Sequence, residues 1–196
     1  MNAWGSYPKE IQWKKQRKAE ELYDGMHEDT PMGLSEDLER IALQEKELVL
    51  PRLDAAMAWD LGSRLRTMAA ERGLPVVIDV RRFGQPLFYT AMDETNPDNA
   101  EWVRRKSNVV ARFYRSSYAV GLREKQKGQT ICESQGLPLA DYATHGGSFP
   151  LNVTGAGVVG SVTVSGLPMR NDHELVIEAL CAVLGRDYAD FKLSAE

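Results

Sequence analysis

The sequence predicts an α+β fold, an antiparallel sheet with helices covering a face, on three observations. Two β-rich stretches, 76–92 and 149–164, each divide around a short turn, as hairpins do. Apolar residues recur at helical spacing between and after them. In the last strand Val162 and Val164 alternate with Ser161, Thr163 and Ser165, so one face is apolar and the other a ladder of hydroxyls. Hairpins separated by helices pack as an antiparallel sheet with helices on it.

The elements follow in order. Residues 1–46 read as an N-terminal extension, helical or partly disordered, with one or two helices placed to dock on a neighbouring subunit. A dense mixed-charge run from Lys9 to Glu21 fills its first half, Trp4, Tyr7 and Trp13 are its anchors, and Pro31-Met32-Gly33 breaks it. Ser35 followed by Glu36, Asp37 and Glu39 has the form of a helix start. The folded domain spans 47–190. Leu48-Val49-Leu50 fits an edge strand ended by Pro51, and Asp54 caps a helix whose stripe is Met57, Leu61, Leu65 and Met68, closed by Gly73. Val76–Val80 and Pro86–Met92 form the first hairpin, with Gly84 supplying the turn. A loop at Thr95–Asp98 leads into a helix over about 99–114, and a second helix covers Val120–Lys127. The second hairpin pairs Phe149–Val153 with Val158–Val164, and Asn171 or Asp172 caps a last helix that runs to Leu184 and ends at Gly185.

Composition narrows the function classes. A chain of 196 residues with 43% hydrophobic content supports one core of ordinary size. A net charge of -4 argues against a nucleic-acid partner, which needs a basic face. No apolar run approaches the roughly 20 residues of a membrane span, so the expected protein is cytoplasmic with no membrane partner. Cys132 and Cys181 support neither a disulfide framework nor a zinc site.

The stretch His145-Gly146-Gly147-Ser148-Phe149-Pro150, leading to Ser165, Gly166, Asp172 and His173, is where a site is expected. Successive amides without side chains form either a nest for a carboxylate or phosphate or a tight turn entering a strand. His173, Val176, Ile177, Leu180 and Leu184 mark the inward face of the last helix, which puts His173 at its buried end, as a site residue or as a half-buried histidine bonded to Asp172 or a carbonyl. Trp102, Lys106, Val109 and Phe113 share a stripe, so Lys106 either snorkels along its stem or points into a pocket toward an anion. Arg104, Asn108, Arg112 and Arg115 take the other face, solvated or at a subunit interface. Asp79 in an apolar strand needs Arg81, Arg82 or a neighbouring helix to satisfy it. No serine-nucleophile elbow and no metal-ligand spacing accompanies these residues, although one histidine suffices as an axial haem ligand, with Phe149 or Phe88 as an apolar wall.

The segments Leu74–Arg81, Asn96–Asn108, Ser116-Ser117-Tyr118, His145–Pro150 and Gly160–Gly166 through Asp172-His173 together resemble the GlcG/HbpS-like superfamily, the haem-degrading domain, in a branch of cytosolic proteins. The likeness covers about residues 47–186. It implies a profilin-like α/β/α arrangement around a central antiparallel sheet and assembly into homo-oligomers. Other members are linked to haem or corrinoid binding, redox sensing and glycolate metabolism, and the branch is similar to a eukaryotic protein connected with tail-anchored proteins. The motif match carries a ligand location onto Lys106, His145, Gly146, Gly147, Ser165, Gly166 and His173. Three readings follow. One is a protein that binds haem, another tetrapyrrole or a small anionic ligand through Lys106, His145, Gly146, Gly147, Ser148, Ser165, Gly166 and His173. A second is a non-haem enzyme acting on a small carboxylated metabolite, with His145 and His173 as general acid or base. The third is an oligomeric interaction module.

Overall fold

The computed structural model describes residues 31–194. Six α-helices and one five-stranded sheet occur among them. In chain order they are α1 (Pro31–Glu47), β1 (Val49–Leu50), α2 (Ala55–Arg72), β2 (Val77–Arg82), β3 (Gln85–Ala91), α3 (Pro97–Phe113), α4 (Ser117–Gln126), α5 (Ile131–Gln135), β4 (Ser148–Val153), β5 (Gly157–Ser165) and α6 (Met169–Leu184). A single 3-10 turn, Tyr188–Asp190, follows. The strands stand in the order β1-β4-β5-β2-β3, with every neighbour antiparallel except the short β1, which runs parallel to β4. The mixed α/β class with two hairpins is therefore as the sequence predicts.

Strand alternation divides the sheet into two unlike faces. Ile78, Val80, Phe149, Leu151, Val162 and Val164 point into the main core, where α2 and α6 cover them with Leu61, Leu65, Val176, Ile177 and Leu180. The residues between them, Asp79, Ser148, Ser161, Thr163 and Ser165, are polar yet buried. This hydroxyl face lies under α3, which presents Val103, Lys106, Ser107 and Val110 to it at helical spacing. The buried stripe of α3 is thus turned from the expected one: Lys106 and Val109 are buried, but Trp102 and Phe113 are only half-buried. In register, Asp79 opposes Thr163 and Val77 opposes Ser165. Ser148 and Thr163 bond through their hydroxyls at 2.8 Å. Asp79 and Arg81 share a strand face two residues apart, and the guanidinium donates to both carboxylate oxygens at 2.5 and 2.9 Å. Burial pushes the Asp79 carboxyl up and Arg81 opposes that shift.

Local chemistry sets the boundaries. Asp54 caps α2 and Gly73 ends it in the left-handed region. Asn96 caps α3 two residues earlier than the spacing predicts, with Pro97 at its first position and Asn99 completing a capping box. Ser116 caps α4 and brings its start forward to Ser117. The short α5, absent from the sequence reading, has its own capping box from Thr130 and Glu133. In the first hairpin the positive φ falls on Phe83, at 33°, rather than on Gly84.

Of the expected extension 1–46, residues 1–30, with the Lys9–Glu21 run and the anchors Trp4, Tyr7 and Trp13, lie outside the described residues. The remainder is α1, which packs on its own chain: Leu34 and Ile41 join Tyr118, Ala119, Leu122 and Leu193 in a small apolar cluster. Its other inward residues are polar. Asp37 accepts from Arg170, and the buried Gln44 meets His173.

Close backbone approach limits one position in the sheet. A Cβ on Gly160 would stand 2.0 Å from the Arg81 carbonyl oxygen across the β5–β2 ladder. Gly160→Ala is expected to cost about 1–3 kcal/mol in urea unfolding, as overpacked sites do. An unchanged midpoint would show that the two strands are not so closely paired.

Candidate functional site

The expected site residues gather where the upper ends of β4 and β5 meet the first turn of α6, and a buried ion pair organises them. Lys106 enters from α3 and donates through Nζ to Asp172 Oδ2 at 2.7 Å and to the Val164 carbonyl at 3.3 Å. The two side chains are 4% and 1% exposed, so this pair is out of water. Asp172 is not the cap of α6, which starts at Met169 after Pro168. Its carboxylate instead accepts from the Leu167 amide at 3.0 Å and more distantly from Gly166 at 3.4 Å. The protein's own carboxylate therefore occupies the place where a ligand anion was expected, with an ammonium and backbone amides around it. Burial pushes the Asp172 carboxyl up to about 6 against the pull of Lys106, and burial likewise pushes the Lys106 ammonium down.

The glycines serve close packing around that pair. Gly147 has φ at 121°, and a Cβ there would meet the Val164 oxygen at 2.3 Å and Lys106 Nζ at 2.9 Å. A Cβ on Gly146 would stand 2.0 Å from the Met169 oxygen, and one on Gly166 2.1 Å from the Pro75 oxygen. Neighbouring carbonyls thus stand where side chains at Gly146 and Gly147 would lie, and only glycine lets the chain pass this close. Ser148 and Ser165 are buried on the hydroxyl face, and the Ser148 amide donates to Ser117 Oγ at 3.1 Å.

The two histidines lie in different environments. His173 is fully buried between the rings of Tyr118 and Phe149, at centroid distances of 5.3 and 5.9 Å. Gln44 Nε2 donates to the Phe191 carbonyl at 2.7 Å, which leaves Gln44 Oε1 as the acceptor for His173 Nε2–H at 2.8 Å. His173 Nδ1 is left without a hydrogen-bond partner. Burial, then the charge of Arg170, pushes this imidazole down to about 3. His145 is exposed. Its ring meets the Trp102 indole edge-on at 4.8 Å, and the Arg105 guanidinium sits 4.1 Å from the centre of the same indole. Partial burial against its neighbours, then the charges of Lys106 and Arg105, hold its pKa below the usual value, so it is neutral at pH 7.

The sequence reading missed what holds His145 there. Trp102 Nε1 donates to Asp98 at 2.9 Å. Arg104 donates to Asp141 and to the Ala140 carbonyl, Arg105 to Leu139, and Asn108 to Asp141. The polar face of α3 therefore straps the loop that ends in His145, where Arg104 and Asn108 were expected to be solvated or at an interface. The signal was an unusual density of side-chain donors on one helix face; the loop they bind is 30 and more residues away in sequence. No group of three or more histidine, cysteine, aspartate or glutamate residues able to hold a metal occurs among the described residues. No described helix is long and apolar enough to cross a membrane.

These features define a mixed α/β domain built on a single sheet, with an exposed imidazole at one strand end and a sealed ion pair behind it. Residues 53–181 match the family described as haem degrading protein HbpS-like, and the chain belongs to that family. A UPF0303 protein of Burkholderia thailandensis is 62% identical over 163 residues, covering 83% of this chain and 99% of its own. Among solved structures, the Ybr137w protein shares 28% identity at a TM-score of 0.71, over 76% of this chain and 87% of its own. A PduOC:heme complex shares the fold at 18% identity and a TM-score of 0.56, over 66% of this chain and 94% of its own.

The donors fit haem only in part. His145 is a reachable imidazole and Arg105 a cation suited to a propionate. The two phenylalanines expected as an apolar wall, Phe88 and Phe149, both belong to the main core beneath the sheet's other face. His173 has no exposed surface and its Nε2 is committed to Gln44. Neither expected phenylalanine therefore stands as a wall beside His145, whose ring neighbour is instead Trp102.

Two outcomes follow. Lys106→Met leaves the Asp172 charge buried and alone and is expected to cost about 3–5 kcal/mol, while Lys106→Met with Asp172→Asn recovers much of the loss. Urea unfolding of the wild type and the two variants checks this, and a full loss in the double variant would reject it. For His173, the unfolded imidazole takes a proton near pH 6.5 and the folded one resists until about 3. Its contribution is whole above pH 6.5 and is lost as pH falls toward 3, at about 1.4 kcal/mol per pH unit. Unfolding of His173→Gln measured from pH 7 to pH 4 should show a flatter slope than wild type; equal slopes would assign the acid sensitivity to another group.

Proposed function

We propose that this domain binds a small anionic molecule, a carboxylate or phosphate, at the strand end where His145, Trp102 and Arg105 meet. The observation that supports the reading is that His145, alone of the two candidate imidazoles, reaches solvent, and does so beside a guanidinium stacked on an indole. Arg105 supplies charge and a planar fork of donors, Trp102 a flat apolar surface, and neutral His145 either a donor or an acceptor. Lys106 adds positive potential from behind without reaching the ligand, because its ammonium is held by Asp172. Ser148, Ser165, Gly146, Gly147 and Gly166 set the shape of the strand end, and His173 braces the helix behind it.

A neutral imidazole at this position can also take a proton from a bound acid, which is the part of the enzyme reading that this geometry supports. Assembly of several copies belongs to the same proposal: a neighbouring copy is the source of any apolar wall that this chain does not place beside His145.

Isothermal titration with citrate, inorganic phosphate and hemin tests the reading. Citrate or phosphate is expected to bind saturably, and His145→Ala and Arg105→Ala are each expected to weaken it about tenfold, roughly 1.4 kcal/mol. Binding untouched by either variant, or absent, would overturn it. A saturable hemin Soret shift lost in His145→Ala would instead assign the site to a tetrapyrrole.

A further inference from the structure

A second concave site lies at the C-terminal end of α3, about three turns along the helix from the Trp102 that meets His145. The end of α3, the outer face of α4 and the short α5 enclose a groove of about 260 Å³. Its floor is apolar, made by Phe113, Val120 and Ile131, of which Val120 and Ile131 are buried in a separate small cluster with Val109. Its polar lining includes Arg123, Glu124 and Lys127. The volume is below the roughly 300–1,000 Å³ of pockets for drug-sized ligands, so an occupant is small.

Glu124 is the informative residue. It is 7% exposed, and its Oε2 has no hydrogen-bond partner. Its other oxygen stands 3.6 Å from Lys127 Nζ, an ion-pair contact longer than a hydrogen bond. A buried carboxylate oxygen without a donor is costly and demands a partner. Arg115, which also lines the groove, is ion-paired to Glu45, its Nε 2.5 Å from Glu45 Oε2 but without hydrogen-bond geometry. Arg123 is exposed, and among the described residues its side chain makes no hydrogen bond or close ion pair, although its charge acts at longer range on Glu45.

A buried acceptor, two accessible cations and an apolar floor in so small a space have one economical complement. We propose that this groove binds a free apolar α-amino acid. Its ammonium donates to Glu124 Oε2, its carboxylate faces Arg123 and Lys127, and its side chain lies on Phe113, Val120 and Ile131. A phosphate or dicarboxylate lacks a donor for Glu124 and is repelled by it. A peptide N-terminus lacks the free carboxylate for the cations. The site is independent of the anion reading at His145.

Calorimetry on the full chain with L-leucine, leucinamide and 4-methylpentanoate separates the contacts. Leucine is expected to bind saturably in the millimolar range or tighter, and each analogue at least about tenfold more weakly, since one charged contact is missing. Arg123→Ala, a change at an exposed side chain, is expected to weaken leucine by a similar factor. Glu124→Gln, checked for folding by circular dichroism, is expected to weaken leucine but not 4-methylpentanoate. His145→Ala leaves leucine binding unchanged. No saturable heat with leucine, leucinamide binding as well as leucine, or no effect of Arg123→Ala would overturn the proposal; should Glu124→Gln fail to fold, the analogues and Arg123→Ala decide it.

Discussion

The buried pair of Lys106 and Asp172 is the constraint on which the site end of this domain depends. It ties α3, on the hydroxyl face of the sheet, to α6, on the apolar face, at the end of β5 where neither helix meets the other directly through apolar packing. Two charges out of water stabilise a fold only when their remaining bonding capacity is met. That condition recruits the Val164 carbonyl and the Gly166 and Leu167 amides, and it requires Gly147 to come within a Cβ's reach of Lys106 Nζ. Glycine at 147 suits the pair, since a side chain there would crowd the Lys106 ammonium and Asp172 as well as the Val164 carbonyl.

The same sealing explains which groups remain open to solvent. With Asp172 filling the anion position, the hydroxyl ladder under α3 is satisfied internally, as the bond from Ser148 to Thr163 and that from the Ser148 amide to Ser117 illustrate. Chemistry open to solvent is displaced outward to His145, which stands on Trp102 next to Arg105. The strap of α3 donors on the loop at 139–141 keeps it there. Rigid support from a helix is what a loop-borne imidazole needs if it is to hold one orientation.

Much of the fold was legible because local signals agreed. Asp54 and Gly73 cap a helix where their chemistry says they should, and the alternation of Val162 and Val164 with serine and threonine correctly separates two sheet faces. The site was less legible. Lys106, Gly147 and Asp172 do converge, but the pattern that marks an anion nest is the same whether the anion is a ligand or a side chain of the protein. The docking of α1 was hidden for a related reason. Leu34, Asp37, Ile41, Gln44 and Leu48 form a helical stripe at spacings of three and four, all buried, yet two of the five are polar and so conceal the inward face. Their partners, Arg170 and His173, are themselves one turn apart on α6, a match that exists only once the two helices meet.

By itself, the sequence determined the longer helices, the two hairpins and the unlike faces of the sheet, because each of these rests on periodicity, capping and turn chemistry within a few residues of the chain; the family rested instead on the resemblance of several separate segments. Tertiary structure decided which histidine is core and which is surface, that Asp172 rather than a ligand takes the Lys106 charge, and that Arg104, Arg105 and Asn108 hold a loop. Those outcomes depend on contacts between residues separated by 30 to 130 positions, as the distances from Asn108 to Asp141 and from Gln44 to His173 show. Burial and hydrogen-bond satisfaction are properties of what the rest of the chain brings alongside, and no local pattern carries them.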